Sequence, residues 1–338
     1  MKATKFHLFF LIVVVLALVL SACGGAAAPT AQSAAQTQPV GQLKPAVQDD
    51  LKGTITISGA FALYPMMQRW AEEFQKIHPN VQFDISAGGA GKGMTDTLAG
   101  AVDIGMISRS ITPEEEAKGA FWVAVTKDAV LPIVNAKNPV LQDILAKGLT
   151  KEIFEKIYIT GEITNWGQAV GRPEVTDTIN VYTRSDAAGA PDIWAKYLGK
   201  KQEDLKGLGV FGDPGLLDAV IKDPMGIGFN NLGYAYDNAS GLPVNGAVIA
   251  PIDANENGKA DPEEVLDTKP KADEAVKTGT YPSPPARLEN LATKGKPSPL
   301  VLAFIKWILN EGQQFVGEAG YVELTPDQLK DSIQKLSQ

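Results

Sequence analysis

Oxygen-bearing side chains recur at alternate positions in the stretch 253–264 (DANENGKADPEE). Asp253, Asn255 and Asn257 fall at its first, third and fifth positions, Gly258 at the sixth, Asp261 at the ninth and Glu264 at the twelfth. Lys259, at the seventh, would offer its backbone carbonyl. That is the spacing of an EF-hand loop, in which alternate oxygens and a terminal bidentate carboxylate surround calcium and the glycine makes the tight turn. Ala260 stands where a branched apolar residue is usual, no good helix precedes the loop, and a solvated Asp/Asn turn has the same composition. With three carboxylates, the implied affinity is of the extracellular order of ~10⁻⁴–10⁻³ M, and the metal would be structural. No histidine, second metal cluster or nucleophile stands beside it in sequence.

The second candidate chemistry is anion binding. Ser108 and Arg109 follow a strand-like run, 102–107, and Arg184 ends another, 179–183, just before the small-residue loop Ala188-Gly189-Ala190. A planar guanidinium at a strand end can grip two oxyanion oxygens, or it can pair with Asp186 two residues on. The stretch 53–110 supplies the setting. It reads as strand (54–58), loop, helix (from Pro65), strand (81–85), Gly-rich loop (86–93), helix (94–98) and strand (102–107). Met66, Met67, Trp70, Phe74 and Ile77 recur at helical spacing until His78-Pro79-Asn80 stops the run. Two strand-to-helix loops then present backbone N–H groups and helix N-termini at one sheet edge, an arrangement suited to anions. The Gly-rich loop is not a P-loop, because Gly93 follows Lys92 where Ser or Thr is needed, and its glycines lack the G-x-G-x-x-G spacing.

Composition removes other classes. The chain holds 31 basic and 39 acidic residues, and nothing in it resembles a nucleic-acid groove. Its two histidines are His7 and His78, so Ser–His–Asp catalysis and His-rich zinc sites are excluded. Lys2 and Lys5 precede the apolar run 8–20, and Leu20-Ser21-Ala22-Cys23 reads as a lipobox. Residues 1–22 are therefore expected to be a lipoprotein signal peptide and Cys23 the lipidated residue. Because Cys23 is the only cysteine, the exported part has no disulfide framework. Residues 23–50, rich in Ala, Gln, Pro and Thr, read as a tether, and the folded part begins near Leu51.

The stretch GTITISG…P…WAEEF…HPNVQF…GKGMTDTLAGAVDIGMISRS resembles the start of the periplasmic phosphate-binding proteins of bacterial and archaeal ABC importers. Further matching phrases follow in order: 149–167 (LTKEIFEKIYITGEITNWG), 179–198, 226–236 (GIGFNNLGYAY), 281–291 and 299–324. The resemblance implies an α/β, two-lobed, type II periplasmic-binding-protein-like fold, each lobe a mainly parallel sheet flanked by helices. Lobe one would be 51–133 plus 232–338, and lobe two 134–231. The run 121–135 reads as two strands about a Lys127-Asp128 turn, where the family's chain leaves the first lobe. The stretch 325–338 reads as a terminal amphipathic helix capped by Thr325.

In the family, Ser and Thr hydroxyls in three loops donate to phosphate. Here those loops carry Ala60, Phe61 and Ala62; Ala90 and Gly91; and Ala188, Gly189 and Ala190. The donors that remain are backbone N–H groups of Phe61, Ala62, Gly91, Gly189 and Ala190, with Ser108, Arg109 and Arg184. Some members also place a proton-accepting aspartate near Ser108, which has no equivalent here. The expected function is an extracytoplasmic, lipid-anchored, monomeric solute-binding protein. It would deliver phosphate or a related tetrahedral oxyanion to an ABC permease, without catalysis or a cofactor for activity. A phosphoester hydrolase on the same scaffold would need a nucleophile and base that the sequence does not show. A calcium-stiffened adhesion module that has lost solute binding would explain the missing hydroxyls.

Overall fold

The computed structural model describes residues 51–337. The expected signal peptide, Cys23 and tether lie outside the described residues. So does Gln338.

The first half alternates as its sequence requires: β1 (Gly53–Gly59), α1 (Tyr64–Ile77), β2 (Val81–Ala87), α2 (Ala90–Ala99), β3 (Ile104–Ile107), α3 (Pro113–Ala117) and β4 (Ala120–Asn135). β1 pairs in parallel with β2 and β3. Pro65 occupies the first turn of α1, whose buried face is Met66, Met67, Trp70, Ala71 and Phe74. Ile77, expected on that face, is the helix's last residue and is half exposed. α2 starts four residues earlier than its apolar pattern implied, at Ala90, so Gly91, Lys92 and Gly93 are helical. Gly93 is required there, because a Cβ would lie 2.7 Å from the Gly59 Cα of β1.

β4 is one strand of 16 residues, not two strands about a turn. A register shift between Ala124 and Thr126 absorbs the bend, and Lys127 is bridged to Val322 across the expected turn position. The chain continues through α4 (Leu141–Lys147), α5 (Lys151–Glu155), α6 (Trp166–Val170), β5 (Asn180–Arg184), α7 (Gly189–Tyr197), β6 (Leu208–Val210), α8 (Gly212–Lys222) and β7 (Gly226–Asn231). After these come α9 (Leu232–Ala235), β8 (Ala247–Ile249), α10 (Lys269–Thr278), β9 (Ala286–Lys294), α11 (Pro299–Leu309) and α12 (Pro326–Ser337). The strand order is β2-β1-β3-β9-β4-β7-β5-β6, with β8 on β4. Each half keeps a parallel set, β2-β1-β3 and β7-β5-β6, while the crossing strands β4 and β9 pair antiparallel. None of the described helices is long and apolar enough to cross a membrane.

Two apolar cores flank the crossing. One gathers Ile55, Trp70, Phe74, Met106, Phe304 and Ile308, and the other Leu131, Phe154, Trp166, Trp194, Leu216 and Phe229. The sequence reading returns the chain to lobe one at Leu232. Ala235, Tyr236, Ile249, Leu266, Val276 and Tyr281 instead pack in the second core, so the return runs along β9.

At the crossing the fold buries charge. Arg287 Nε donates to Glu289 Oε1 at 3.0 Å, and its Nη2 donates to Asp128 Oδ2 at 2.9 Å and to Asn231 Oδ1. All four residues are buried. Burial pushes the Glu289 carboxyl up to about 8 and Asp128 up to about 6, against the opposing pull of Arg287. The folded protein therefore holds a proton on Glu289 that the unfolded chain releases near the ordinary value of 4.5. The stability tied to that proton is fully present below 4.5 and is lost as pH rises through about 8. Glu289→Gln, which keeps the acceptor for Arg287 Nε without the ionisation, should flatten the fall in Tm over that interval. The wild-type slope can reach about 1.4 kcal/mol per pH unit for one proton, and thermal melts across the pH series measure it.

Candidate functional site

The C-terminal ends of β1, β3 and β5 and the N-termini of α2 and α7 converge at one place. Gly91, in the first turn of α2, donates its N–H to the Ala187 carbonyl at 3.1 Å. Across the same gap Gly189 begins α7 against Ser108, so closely that a Cβ at 189 would lie 1.9 Å from Ser108 Oγ. Only glycine fits there. Gly91 thus lies against the Ala187 that precedes α7, and Gly189, with Ala190 after it in α7, lies against Ser108. Phe61 and Ala62 form a 3-10 turn after β1, and their carbonyls accept from the hydroxyls of Tyr234 and Tyr321.

The donors are more committed than the sequence suggested. The Ala188 N–H points to Gln202 Oε1 at 3.4 Å. Arg109 forms a two-pronged pair with Glu115, Nη1 to Oε2 at 2.9 Å and Nη2 to Oε1 at 2.6 Å. Glu115 is itself held by the capping box that Thr112 starts at α3. Burial alone would raise the Glu115 carboxyl, and Arg109 and the Thr112 backbone overcome it, holding it below its ordinary value. Arg109, Gly91 and Ala188 line a cleft of about 320 Å³ together with Ala187, Asp192 and Gln202.

Arg184 is not among that cleft's walls. Both readings of this residue, surface pair or open ligand grip, are corrected by its burial. Its side chain is 1% exposed, with Nε and Nη2 donating to Asp186 at 2.8 and 2.6 Å and Nη1 2.8 Å from Asp213 Oδ2. Asp186 was legible two residues on. Asp213 was not, because α8 brings it from a remote segment whose Asp-Pro reads as an ordinary helix start. Asn231 Nδ2 donates to Asp213 Oδ1 at 2.6 Å, so hydrogen bonds run from Glu289 through Arg287 and Asn231 to Asp213, and the ion pair of Asp213 with Arg184 continues the chain to Asp186.

The stretch 253–264 folds as an inward-turned loop. Asp253 accepts from the N–H groups of Asn257 and Gly258, Glu264 from those of Ala254 and Asp261, and Asp261 from the amides of Asn255 and Asn257. The all-oxygen donor set suits a hard cation. Among the described residues, however, no three acidic side chains meet at a point that would hold a metal.

With this geometry in view, comparison with known proteins is decisive for the family. The profile of the PBP superfamily domain matches residues 28–311. The chain belongs to that superfamily. The phosphate-binding protein PstS of Bacillus subtilis is 26% identical, over 96% of this chain and 96% of its own length. PstS of Methanocaldococcus jannaschii is 27% identical over 82% of this chain and 84% of its own. A Clostridium perfringens protein described as a phosphate ABC transporter substrate-binding protein, solved with bound phosphate, superposes with a TM-score of 0.67 at 26% identity. It covers 81% of this chain and all of its own. The expected resemblance and the two-lobed α/β fold therefore hold.

The buried pairing makes a sharp stability prediction. Arg184→Met leaves Asp186 and Asp213 without a counter-charge and should lower unfolding stability by about 3–5 kcal/mol. A urea titration of both proteins reads this as a shift in midpoint.

Proposed function

We propose that this protein is the lipid-anchored, extracytoplasmic capture component of an ABC importer and that it takes phosphate or a related tetrahedral oxyanion between its lobes. The observation that carries the reading is the meeting of the α2 start with Ala187, just before α7, and of the α7 start with Ser108, with Arg109 lining the adjoining cleft. Backbone N–H groups at helix starts attract anions directionally, and Arg109 and Lys201 on the cleft wall offset the carboxylates of Asp192 and Glu203 that share it. Relatives named for phosphate binding along nearly the whole chain support the ligand class. An oxyanion would take Gly91 N–H from Ala187 and share Arg109 with Glu115, which requires the lobes to part and close again around it. Permease docking and monomeric action belong to the same proposal.

Calorimetric titration of protein stripped of carried-over ligand by unfolding and refolding tests this. Phosphate should give saturable heat, with sulfate, molybdate and tungstate as comparisons. Arg109→Gln should weaken phosphate binding by about tenfold or more, the worth of one hydrogen bond to a charged group. Absence of phosphate heat in the parent protein would sink the phosphate assignment while leaving the fold untouched.

A structural calcium ion in the loop of Asp253, Asn255, Asn257, Lys259, Asp261 and Glu264 is a second proposal. Binding would require the Asn255 and Asn257 amides to turn over and offer oxygen in place of the N–H groups now donated to Asp261. At an affinity of ~10⁻⁴–10⁻³ M, ~10 mM calcium would stabilise the fold by about 1.4–2.7 kcal/mol. Thermal melts with and without calcium, repeated on Asp253→Ala, should show the gain only in the parent protein.

A further inference from the structure

The cleft beside Arg109 presents an unpaired donor edge on one wall and unpaired acceptors on the other. Arg109 commits Nη1 to the Ser110 carbonyl at 3.0 Å and to Glu115 Oε2, and Nη2 to Glu115 Oε1. Its Nε and the second Nη2 hydrogen share the adjoining edge of the guanidinium plane. They have no partner among the described residues. Parallel N–H groups on such an edge match two oxygens of a phosphoryl group. An anion can therefore take this edge while Glu115 keeps the other.

The facing wall comes from the other half of the fold. Asp192, in the first turn of α7, and Glu203, in the turn Gln202–Asp204, both line the cleft. Asp192 is half-buried and Glu203 exposed, and neither carboxylate has a hydrogen-bond or ion-pair partner among the described residues. The charge of Asp192 reaches Arg109, after that of Glu115. Gln202 is tied through Nε2 to the Asp186 carbonyl at 2.7 Å, and its Oε1 receives only the long 3.4 Å contact from Ala188. These oxygens all call for hydrogen-bond donors. Inorganic phosphate held at Arg109 has few O–H groups to offer and otherwise meets the carboxylates as a like charge.

Size points the same way. The cleft of about 320 Å³ has room for about ten waters at ~30 Å³ each, and a lone tetrahedral oxyanion fills only part of it. Clefts that enclose small organic ligands begin near ~300 Å³.

We propose that this cleft takes a phosphate monoester of a small polyol, with its phosphoryl oxygens on the free edge of Arg109 and its hydroxyls on Asp192 and Glu203. This names the ligand class of the oxyanion site and rests on that reading. The hydroxyl-bearing stem supplies the donors that the inorganic ion lacks, and its two ends tie one half of the fold to the other.

Calorimetric titration of the parent protein, Asp192→Ala and Asp192→Asn tests this, each stripped of carried-over ligand. The probes are inorganic phosphate, methyl phosphate and glycerophosphate. Methyl phosphate has the ester bond without hydroxyls, so it separates the two features. The parent protein should bind glycerophosphate about tenfold more tightly than either other probe, the factor expected of one hydrogen bond to a charged group. Asp192→Ala should erase most of that preference. Asp192→Asn keeps the shape and one acceptor oxygen and should fall between, which preserves the test if the alanine variant folds poorly. Glycerophosphate binding no tighter than inorganic phosphate in the parent protein would overturn the proposal and leave the oxyanion reading standing. A preference undiminished in both variants would overturn it too. Binding of none of the three probes takes the oxyanion reading down, and the ester proposal with it.

Discussion

The structure depends on how two guanidinium groups are neutralised where no water reaches them. Arg287 sits at the crossing of β4 and β9, between Asp128 and Glu289, and Arg184 sits at the end of β5 between Asp186 and Asp213. Asn231 connects the two sets, accepting from Arg287 and donating to Asp213. Burying ions costs more than a simple pair returns, and only a network that satisfies each charge from several sides is tolerable. Here each arginine faces two carboxylates, and burial first, with the neighbouring Asp128 after it, pushes the Glu289 carboxyl up against the pull of Arg287, to about 8. The crossing strands cannot slide past one another without breaking this chain. The two cores are consequently joined by a polar spine as well as by continuous strands.

That spine also fixes what the cleft can do. Asp213 belongs to α8 and Asn231 to the end of β7, so Arg184 is positioned by elements of its own half rather than by a ligand. Arg109, by contrast, is held by Glu115 a few residues away and lines open space. The two arginines paired with the same ligand role in the sequence are therefore physically unequal. One is a buried structural cation with its face covered, and the other is a half-buried cation at a cleft wall.

The fold was largely legible because its signals are local. The period of α1, the proline in its first turn and the threonine cap of α12 each act within a turn or two. The joins were not legible, because they are non-local. Lys127-Asp128 looks like a turn until β9 supplies Arg287 for Asp128 and the terminal segment supplies Val322 for Lys127. The segment 235–281 has apolar residues that fit either core, and only the long return along β9 assigns them to the second. In the candidate site, local pattern alone puts Gly91, Ser108, Gly189 and Arg109 at or beside element ends. Asp213 as a partner of Arg184, and the Phe61 ring over it, were invisible, since neither residue type marks a partner so far away in the chain.

The absence of hydroxyls from the loops 60–62, 90–91 and 188–190 has a physical consequence. A hydroxyl can turn to donate to a bound oxyanion or to accept from a neighbour, so a site built on hydroxyls stays satisfied in either state. Alanine and glycine leave only fixed N–H groups, which need a partner whenever they are shielded from water. The protein provides it: the Ala187 carbonyl takes Gly91, Gln202 takes Ala188, and the Phe61 ring stands over the face of Arg184. Any group that drew on these N–H donors would first have to break the contacts they already make, so each of its own contacts would replace one the protein holds and add little net.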